Sequence, residues 1–275
     1  MVVMFGGMPG LLEFKASLLA SHGFASLALA FFGVDAGNTW LNEKKEFCSD
    51  LAYFEKAIDY MLQHKNIISS GVGLITISFS VHIALMLSTY VSRKIHCAVM
   101  INGFIHNLNV KYFYGNRSDL FVDCAIPDFF HRWYAYSATL KEGEVQNFYD
   151  LYPMLTLEDL DSMEGKGLIP FYENKDVAYM MIAGEEDRCV PASHYTNLFE
   201  ALLKRADHKN YEILKYTGAG HLIEPPFAPL NKVTRLDKKP VNWGGVKKPH
   251  AFAQEHSWKK QINFLFRNIV GRAKI

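Results

Sequence analysis

Three residue types that together catalyse acyl transfer occur at widely separated positions in the sequence. They are Ser78, a run of three acids at 185–187, and His221. A serine hydroxyl becomes a strong nucleophile when a histidine removes its proton, and a carboxylate orients that histidine and stabilises its charged form. Whether the three residues act together depends on the predicted elements that carry them.

The stretch 71–90 places Ser78 at a change of hydrophobic pattern. Residues 71–77 are apolar and rich in β-branched side chains, which predicts a strand buried on both faces, whereas Ala, Leu and Met after Phe79 predict a helix. A strand that turns into a helix at a serine is typical of the nucleophile elbow of α/β-hydrolases. Thr76 and Ser80 stand where that elbow usually has glycine, so an ordinary serine at a strand end is the alternative. The polar residues Ser78, Ser80 and His82 exclude a membrane span.

The rest of the sequence alternates between predicted strands and helices. The predicted strands are 2–5, 24–31, 71–77, 95–101, 177–183 and 211–216, and helices are predicted at 11–21, 47–61, after 79, at 195–203 and at 258–269. A polar loop through Asp35, Gly37 and Asn38 and a loop rich in Pro and Lys at 224–248 separate some of them. This order predicts an α/β fold with a mostly parallel sheet and helices on both faces.

Each of the three candidate positions directly follows the end of a predicted strand. In open parallel sheets, ligands bind at the carboxyl ends of the strands, which lie along one edge. The chain order serine, acid, histidine is also that of the α/β-hydrolases, and it differs from the orders in two families of serine proteases. The sequence therefore predicts that Ser78, an acid at 185–187 and His221 meet at one edge of the sheet.

Composition and charge bound the classes of function. The 275 residues are 49% hydrophobic, and the 29 basic and 28 acidic residues nearly cancel, so nothing indicates a nucleic-acid or membrane-surface partner. Cys48, Cys97, Cys124 and Cys189 are scattered without the spacing of a zinc site, and no signal peptide opens the sequence. We expect free thiols in a reducing compartment, with Cys97 and Cys189 as core thiols away from the serine.

An aromatic-rich segment at about 104–175 interrupts the alternation. Long irregular excursions inside an α/β domain are usually lids or binding loops, and the alternative is a surface insertion that packs its own small cluster. We expect residues 1–275 to form a single domain that carries this irregular insertion.

Several short stretches of sequence are not explained by the general requirements of an α/β fold. They are Met4-Phe5-Gly6-Gly7, 11–20, Gly71-Val72-Gly73-Leu74, Ile101-Asn102-Gly103, 220–226, Trp243-Gly244-Gly245 and His250-Ala251. With them the sequence resembles, over nearly its whole length, the C-terminal catalytic domain of the acyl-CoA thioesterase and bile acid-CoA:amino acid N-acyltransferase family. The resemblance implies an α/β-hydrolase fold and hydrolysis of fatty or related acyl-CoA esters to free acid and CoA.

The resemblance also narrows the choice of catalytic residues. The family pattern places the acid three residues after Gly184, which selects Asp187 and keeps Glu186 in reserve. The amino-acid-conjugating members use a cysteine nucleophile, so Ser78 favours hydrolysis over transfer to an amine. The implied catalytic set is Ser78, Asp187 and His221.

The oxyanion of such a reaction needs two backbone donors. We expect the N–H of Phe79 and one N–H of the Gly6-Gly7-Met8 turn, that of Gly7 or Met8, because this turn follows the first predicted strand. The mechanism requires no cofactor, neither metal nor redox, and no HExxH, Walker or dinucleotide-binding motif occurs.

Acyl-CoA is the partner that the resemblance implies. The aromatic segment 104–155 is the candidate wall for the acyl chain. Lys111, Arg117 and Arg132 are candidate contacts for the CoA phosphates, or else solvated surface charges. We expect no nucleic-acid partner and no stable membrane insertion.

Two departures from the family pattern bear on activity. Thr76 and Ser80 add side chains to a strained turn. The family also carries an N-terminal β-sandwich domain, and we expect this sequence to lack that domain and the first strands of the catalytic sheet. The alternatives are a weak or inactive member that acts as a binding or regulatory module, and a carboxylesterase or dienelactone-hydrolase-like enzyme.

The last three residues bear on the compartment. Ala273-Lys274-Ile275 is a small-basic-aliphatic tripeptide similar to the peroxisomal Ser-Lys-Leu signal, and the alternative is an ordinary frayed terminus. The predicted location is cytoplasmic or peroxisomal.

Overall fold

A parallel β-sheet runs through the centre of the protein. The computed structural model describes residues 1–33, 39–41, 47–108, 110–115, 129–163, 167–236 and 239–272. Its strands are β1 (Val2–Met4), β2 (Leu27–Leu29), β3 (Thr39–Leu41), β4 (Phe47–Asp50), β5 (Val72–Ile77), β6 (Ile95–Ile101), β7 (Lys111–Phe113), β8 (Ala178–Gly184), β9 (Tyr211–Tyr216), β10 (Val233–Leu236) and β11 (Lys239–Asn242). Its α-helices are α1 (Glu13–Ser21), α2 (Leu51–Leu62), α3 (Phe79–Tyr90), α4 (Phe129–Thr139), α5 (Leu157–Ser162), α6 (Ala192–Arg205) and α7 (Lys247–Ile269).

The central sheet has the strand order β2-β1-β5-β6-β8-β9, and every neighbouring pair in it is parallel. Side chains alternate between its two faces with the period of two that strands impose. Along β6, for example, Ala98 and Met100 belong to one hydrophobic core, and Cys97 and Val99 belong to the other. The predicted parallel sheet is therefore confirmed.

Helices cover both faces of this sheet. Helices α2, α3 and α6 supply buried side chains to one core, and α1 and α7 supply them to the other. The long α7 does so through Trp258, Ile262 and Leu265, at the spacing expected for one helical stripe. Because both faces are covered, β5, β6 and β8 are buried along their whole length, as their apolar sequences predict.

Several local predictions are wrong. The helix predicted from Phe47 begins only at Leu51, where the Asp50 carboxylate accepts a hydrogen bond from the N–H of Ala52 at 2.9 Å. Residues 47–50 form β4 instead, between β3 and β7 in a small sheet. The loop predicted at 224–248 contains the antiparallel hairpin β10–β11.

Other predictions concern residues outside the described part of the chain. The predicted loop through Asp35, Gly37 and Asn38 lies there, as do Cys124 and the terminal residues 273–275. Among the described helices, none is both long and apolar enough to cross a membrane.

Candidate active site

Ser78 occupies a sharp turn between β5 and α3, at the carboxyl end of the central sheet. Its backbone has φ 60° and ψ −125°, a conformation that few residues other than glycine adopt. The N–H of Ser78 donates to the carbonyl of Ile101, at the end of the adjacent strand β6, at 2.8 Å. A strained backbone of this kind persists only where its surroundings fix it, and it is common at catalytic positions.

The side chains of the two residues that replace the usual elbow glycines form hydrogen bonds. The buried hydroxyl of Ser80 accepts from the N–H of Ile77 at 2.9 Å and lies 3.2 Å from the carbonyl oxygen of Met4. The buried hydroxyl of Thr76 donates to the carbonyl of Val99 at 3.2 Å. Both hydroxyls therefore connect the turn to neighbouring strands.

Asp187 and His221 form a buried pair. Nδ1 of His221 lies 2.7 Å from Oδ2 of Asp187, and both residues are at most 2% exposed. The other carboxylate oxygen, Oδ1, accepts from the N–H groups of Cys189 at 2.7 Å and Val190 at 2.9 Å. The reserve acid Glu186 instead pairs with Arg188 at 2.9 Å.

This environment sets the proton affinity of the imidazole. Burial by itself would lower the pKa of His221, but the Asp187 carboxylate and the Cys189 thiol outweigh burial and raise this pKa well above its ordinary value. Because Nδ1 faces the carboxylate, Nε2 is the nitrogen available to a reacting group.

Trp243 contacts both the ring and the backbone of His221. Its indole stacks on the imidazole with ring centroids 5.5 Å apart and an interplanar angle of 17°. Its carbonyl accepts the N–H of His221 at 2.7 Å, and its Nε1 donates to the hydroxyl of Thr234 at 2.6 Å. No role was predicted for Trp243. The signal in the sequence that could have indicated one is the aromatic residue in the stretch Trp243-Gly244-Gly245.

Gly244 holds the loop of the acid against this region. It has φ 75° and forms an isolated antiparallel bridge with Asp187. A Cβ atom at this position would overlap the carbonyl oxygen of Glu186. Only glycine combines this backbone conformation with such a close approach.

The Gly6-Gly7-Met8 turn lies against the elbow. A Cβ atom added to Gly6 would lie 3.1 Å from Cβ of Ser78, and one added to Gly7 would lie 3.4 Å from Cβ of Phe79. Phe79 is the first residue of α3, where backbone N–H groups point out of the start of a helix. The turn is therefore close enough to the start of α3 for both segments to contact the same small group.

Ser78 and His221 line the same cavity, of about 360 Å³. Within the described part of the chain no hydrogen bond joins their side chains, as is common in hydrolases without substrate. The remaining lining residues are mostly apolar: Phe5, Gly6, Gly7, Met8, Pro9, Ile77, Phe79, Leu108, Trp133, Phe148, Tyr152, Cys189, Leu222, Asn231, Thr234 and Trp243. Four of them come from the aromatic segment at 104–155.

Cys189 corrects one prediction. It is a buried core thiol as predicted, but it does not lie apart from the serine: it lines the same cavity as Ser78, close to His221, and burial raises the pKa of its thiol. Cys97 is a buried core thiol as predicted. Lys111 and Arg132 are exposed and do not line the cavity, and Arg117 lies outside the described residues.

Comparison with known proteins identifies the family. Residues 49–271 match the family described as BAAT / Acyl-CoA thioester hydrolase C terminal. The chain belongs to this family. Family members similar to it include bile acid-CoA:amino acid N-acyltransferase of Homo sapiens, 34% identical over 97% of this chain and 59% of the relative. Peroxisomal succinyl-coenzyme A thioesterase of Mus musculus is 30% identical over 98% of this chain and 59% of the relative.

The chain thus spans about three fifths of the length of these relatives. Among solved structures, a dienelactone hydrolase-like promiscuous phosphotriesterase from metagenomic libraries has a TM-score of 0.52 at 15% identity, covering 98% of this chain and 86% of that one. At this identity the likeness shows the fold alone, and it confirms the predicted α/β-hydrolase fold.

Proposed function

We propose that this BAAT / acyl-CoA thioester hydrolase family member is an acyl-CoA thioesterase with Ser78 as nucleophile, His221 as general base and Asp187 as the acid that orients His221. One observation carries the proposal: the strained turn at Ser78 and the buried Asp187–His221 pair border one apolar cavity. The two relatives are named for different reactions, hydrolysis of a CoA thioester and transfer of an acyl group to an amino acid, and both reactions use an acyl-CoA.

The first half of the reaction forms an acyl-enzyme. Nε2 of neutral His221 takes the hydroxyl proton of Ser78 as Oγ attacks the thioester carbonyl carbon. The backbone N–H of Phe79 and one from Gly7 or Met8 stabilise the resulting oxyanion. The carbon–sulfur bond then breaks, CoA leaves with the electron pair of that bond, and its sulfur takes the proton from the His221 imidazolium, which becomes neutral again. A thiol has a pKa of about 8.5, so this leaving group needs less help from the imidazolium than an alkoxide does.

The second half releases the acid. His221 removes a proton from water as the water oxygen attacks the acyl-serine carbonyl, and the proton returns to Oγ of Ser78 as the ester bond breaks. The products are the free acid and the regenerated serine. A serine ester is less reactive towards amines than a thioester, which favours hydrolysis over conjugation to an amino acid.

The lining of the cavity supports an apolar acyl group. Leu108, Trp133, Phe148 and Tyr152 provide one wall, and Asn231 and Thr234 are among its few polar residues. We therefore propose fatty or related apolar acyl-CoA esters as substrates. The proposed location of the protein is the cytoplasm or peroxisomes.

The test is thiol release from a series of acyl-CoA esters of increasing chain length, with succinyl-CoA included. Wild type should release CoA from the apolar esters, and Ser78→Ala should lower that rate on the order of 10⁴-fold or more. Ser162→Ala is the control, because this exposed hydroxyl donates to the carbonyl of Asp159 within its own helix. Folded wild-type protein that releases no thiol, or that hydrolyses p-nitrophenyl esters in clear preference, would contradict the proposal.

A further inference from the structure

Asn102 stands directly after β6 and has an unusual backbone. Its φ is 49°, and its side chain is completely buried. A buried residue other than glycine rarely keeps this conformation unless its side chain requires it. Asn102 belongs to the stretch Ile101-Asn102-Gly103, which the mechanism above does not use.

The side-chain amide of Asn102 bridges the two loops that carry Asp187 and His221. Its Nδ2 donates to the carbonyl of His221 at 2.6 Å and to that of Gly220 at 3.0 Å. Its Oδ1 accepts the N–H of Gly184 at 2.7 Å. An amide offers two N–H donors and one carbonyl, so both donors and the acceptor are engaged.

These partners lie in the segments that directly follow or end β8 and β9, where the two loops begin. Gly184 ends β8, and its carbonyl accepts the N–H of Asp187 at 3.3 Å, which closes the turn that carries the acid. The preceding residue, Ile101, accepts the N–H of Ser78. Two consecutive residues, the last of β6 and the one after it, therefore contact the turns of all three proposed catalytic residues, although Gly220 and His221 lie 118 and 119 positions after Asn102 in the sequence.

We propose that Asn102 is a positioning residue, which fixes the backbone of His221 relative to the turn of Asp187 and so holds the imidazole beside Ser78; this role rests on the proposed function. Asn102 lines no part of the cavity and is not a catalytic residue. An error of about 1 Å in the placement of a reacting group costs on the order of 100-fold in rate, so a residue that acts only on the backbone affects catalysis.

The experiment compares two variants of Asn102. Asn102→Gly removes the side chain, and glycine keeps the positive φ without strain. Asn102→Asp keeps the shape and the acceptor for Gly184 but removes the amide donors to residues 220 and 221. Both should lower kcat by roughly 10- to 100-fold and change KM by less than about 3-fold in folded protein.

A matched control separates positioning from stability. Asn174 is half-buried, donates through Nδ2 to the carbonyl of Ser88 at 2.7 Å and accepts the N–H of Asp176 at 3.2 Å, and it precedes β8, at the opposite end of that strand from Gly184. Asn174→Gly should lower the midpoint temperature of unfolding and leave kcat unchanged. A folded Asn102→Gly or Asn102→Asp variant with kcat within 2-fold of wild type would overturn the proposal.

A second measurement does not depend on activity. In proton NMR spectra the exchangeable proton on Nδ1 of His221, which the hydrogen bond to Asp187 shifts downfield, is identified by its loss in His221→Gln. We expect it to shift or disappear in Asn102→Gly and to remain in Asn174→Gly. If wild type hydrolyses no acyl-CoA, the proposed function fails, and this signal still decides the role of Asn102. An unchanged signal in Asn102→Gly, or none in wild type, would overturn that role.

Discussion

At the scale of single residues, the Asp187 carboxylate controls the protonation of His221. The carboxylate raises the pKa of the imidazole against the effect of burial, and in the proposed mechanism the imidazole must be neutral when Ser78 attacks. The acid limb of the activity profile therefore reports the pKa of His221.

Asp187→Asn should move this limb. Without the carboxylate the pKa of His221 falls, so the rise of kcat/KM should occur at lower pH, while the plateau drops by about 10⁴-fold because the imidazole loses its orientation. The measurement is kcat/KM between pH 4 and 9. Glu186→Gln, which removes the acid paired with Arg188, should keep both the limb and the plateau. An acid limb at the wild-type pH in Asp187→Asn would contradict this assignment.

The hydroxyl of Ser80 stabilises the strained turn. Ser80→Ala leaves the buried N–H of Ile77 without this acceptor, so the free energy of unfolding should fall by about 1–3 kcal/mol. Thr89→Ala removes a hydroxyl that donates to the carbonyl of Leu85 within the same helix, and it should cost less than about 1 kcal/mol. Urea denaturation measures both values. Equal costs would show that the Ser80 hydroxyl does not hold the turn.

The sequence could indicate residues at strand ends but not their tertiary partners. The positions of Ser78 and His221 near the carboxyl edge of the sheet were predictable because each follows a predicted strand, whereas the choice of Asp187 among the three acids at 185–187 came from the family resemblance. The stacking of Trp243 on His221 and the bridge from Asn102 to Gly220 depend on how distant loops meet, and no local pattern encodes either contact.

At the scale of elements, the segment after β11 fixes the position of the loop that carries Asp187. Gly244→Ala should overlap the carbonyl of Glu186 and displace the turn that carries Asp187. We expect a loss of about 3 kcal/mol or more in the free energy of unfolding, together with a large fall in kcat.

Gly143 provides the matched control for that substitution. It also has a positive φ, 85°, but nothing lies within 4 Å of an added Cβ atom. Gly143→Ala should therefore cost only the backbone strain of about 1–2 kcal/mol and leave kcat unchanged. Similar losses of stability and activity in the two variants would contradict the locking role of Gly244.

Strands and helices were predictable where the hydrophobic pattern in the sequence was long. The apolar runs of β5, β6 and β8 and the stripes of α2 and α7 specified those elements directly. The short strands β3, β4, β7, β10 and β11 were missed, because pairing with other strands rather than local sequence defines them.

At the scale of the whole molecule, two buried histidines couple stability to pH. His82 and His106 are fully buried among aromatic rings, and burial lowers the pKa of each to about 3, with His106 adding to the shift of His82. The nearby titratable groups are Tyr112, whose hydroxyl lies 2.7 Å from Nδ1 of His82, and Tyr195, which packs on His106.

The sign of the effect follows from proton binding. The unfolded chain protonates each histidine below pH of about 6.5, whereas the folded state resists protonation down to pH of about 3. The free energy of unfolding should therefore fall as the pH falls through this window, by about 1.4 kcal/mol for each histidine between pH 7.5 and 5.5.

His106→Phe should remove one of these two contributions. Within the described residues neither ring nitrogen of His106 has a hydrogen-bond partner, and Phe104 and Tyr195 surround the ring, so phenylalanine fits its environment. Urea denaturation at both pH values should show a loss on acidification that is smaller by about 1.4 kcal/mol than in wild type. An identical loss would place the acid sensitivity elsewhere.

The proposed mechanism requires that the fold activates the hydroxyl of Ser78 through His221. The most direct test is labelling of folded protein with a fluorophosphonate, followed by mass spectrometry of its peptides. We expect one label on Ser78 in wild type, none in Ser78→Ala, and much slower labelling in His221→Gln. Folded wild type that stays unlabelled, or a label that persists in Ser78→Ala, would contradict the account.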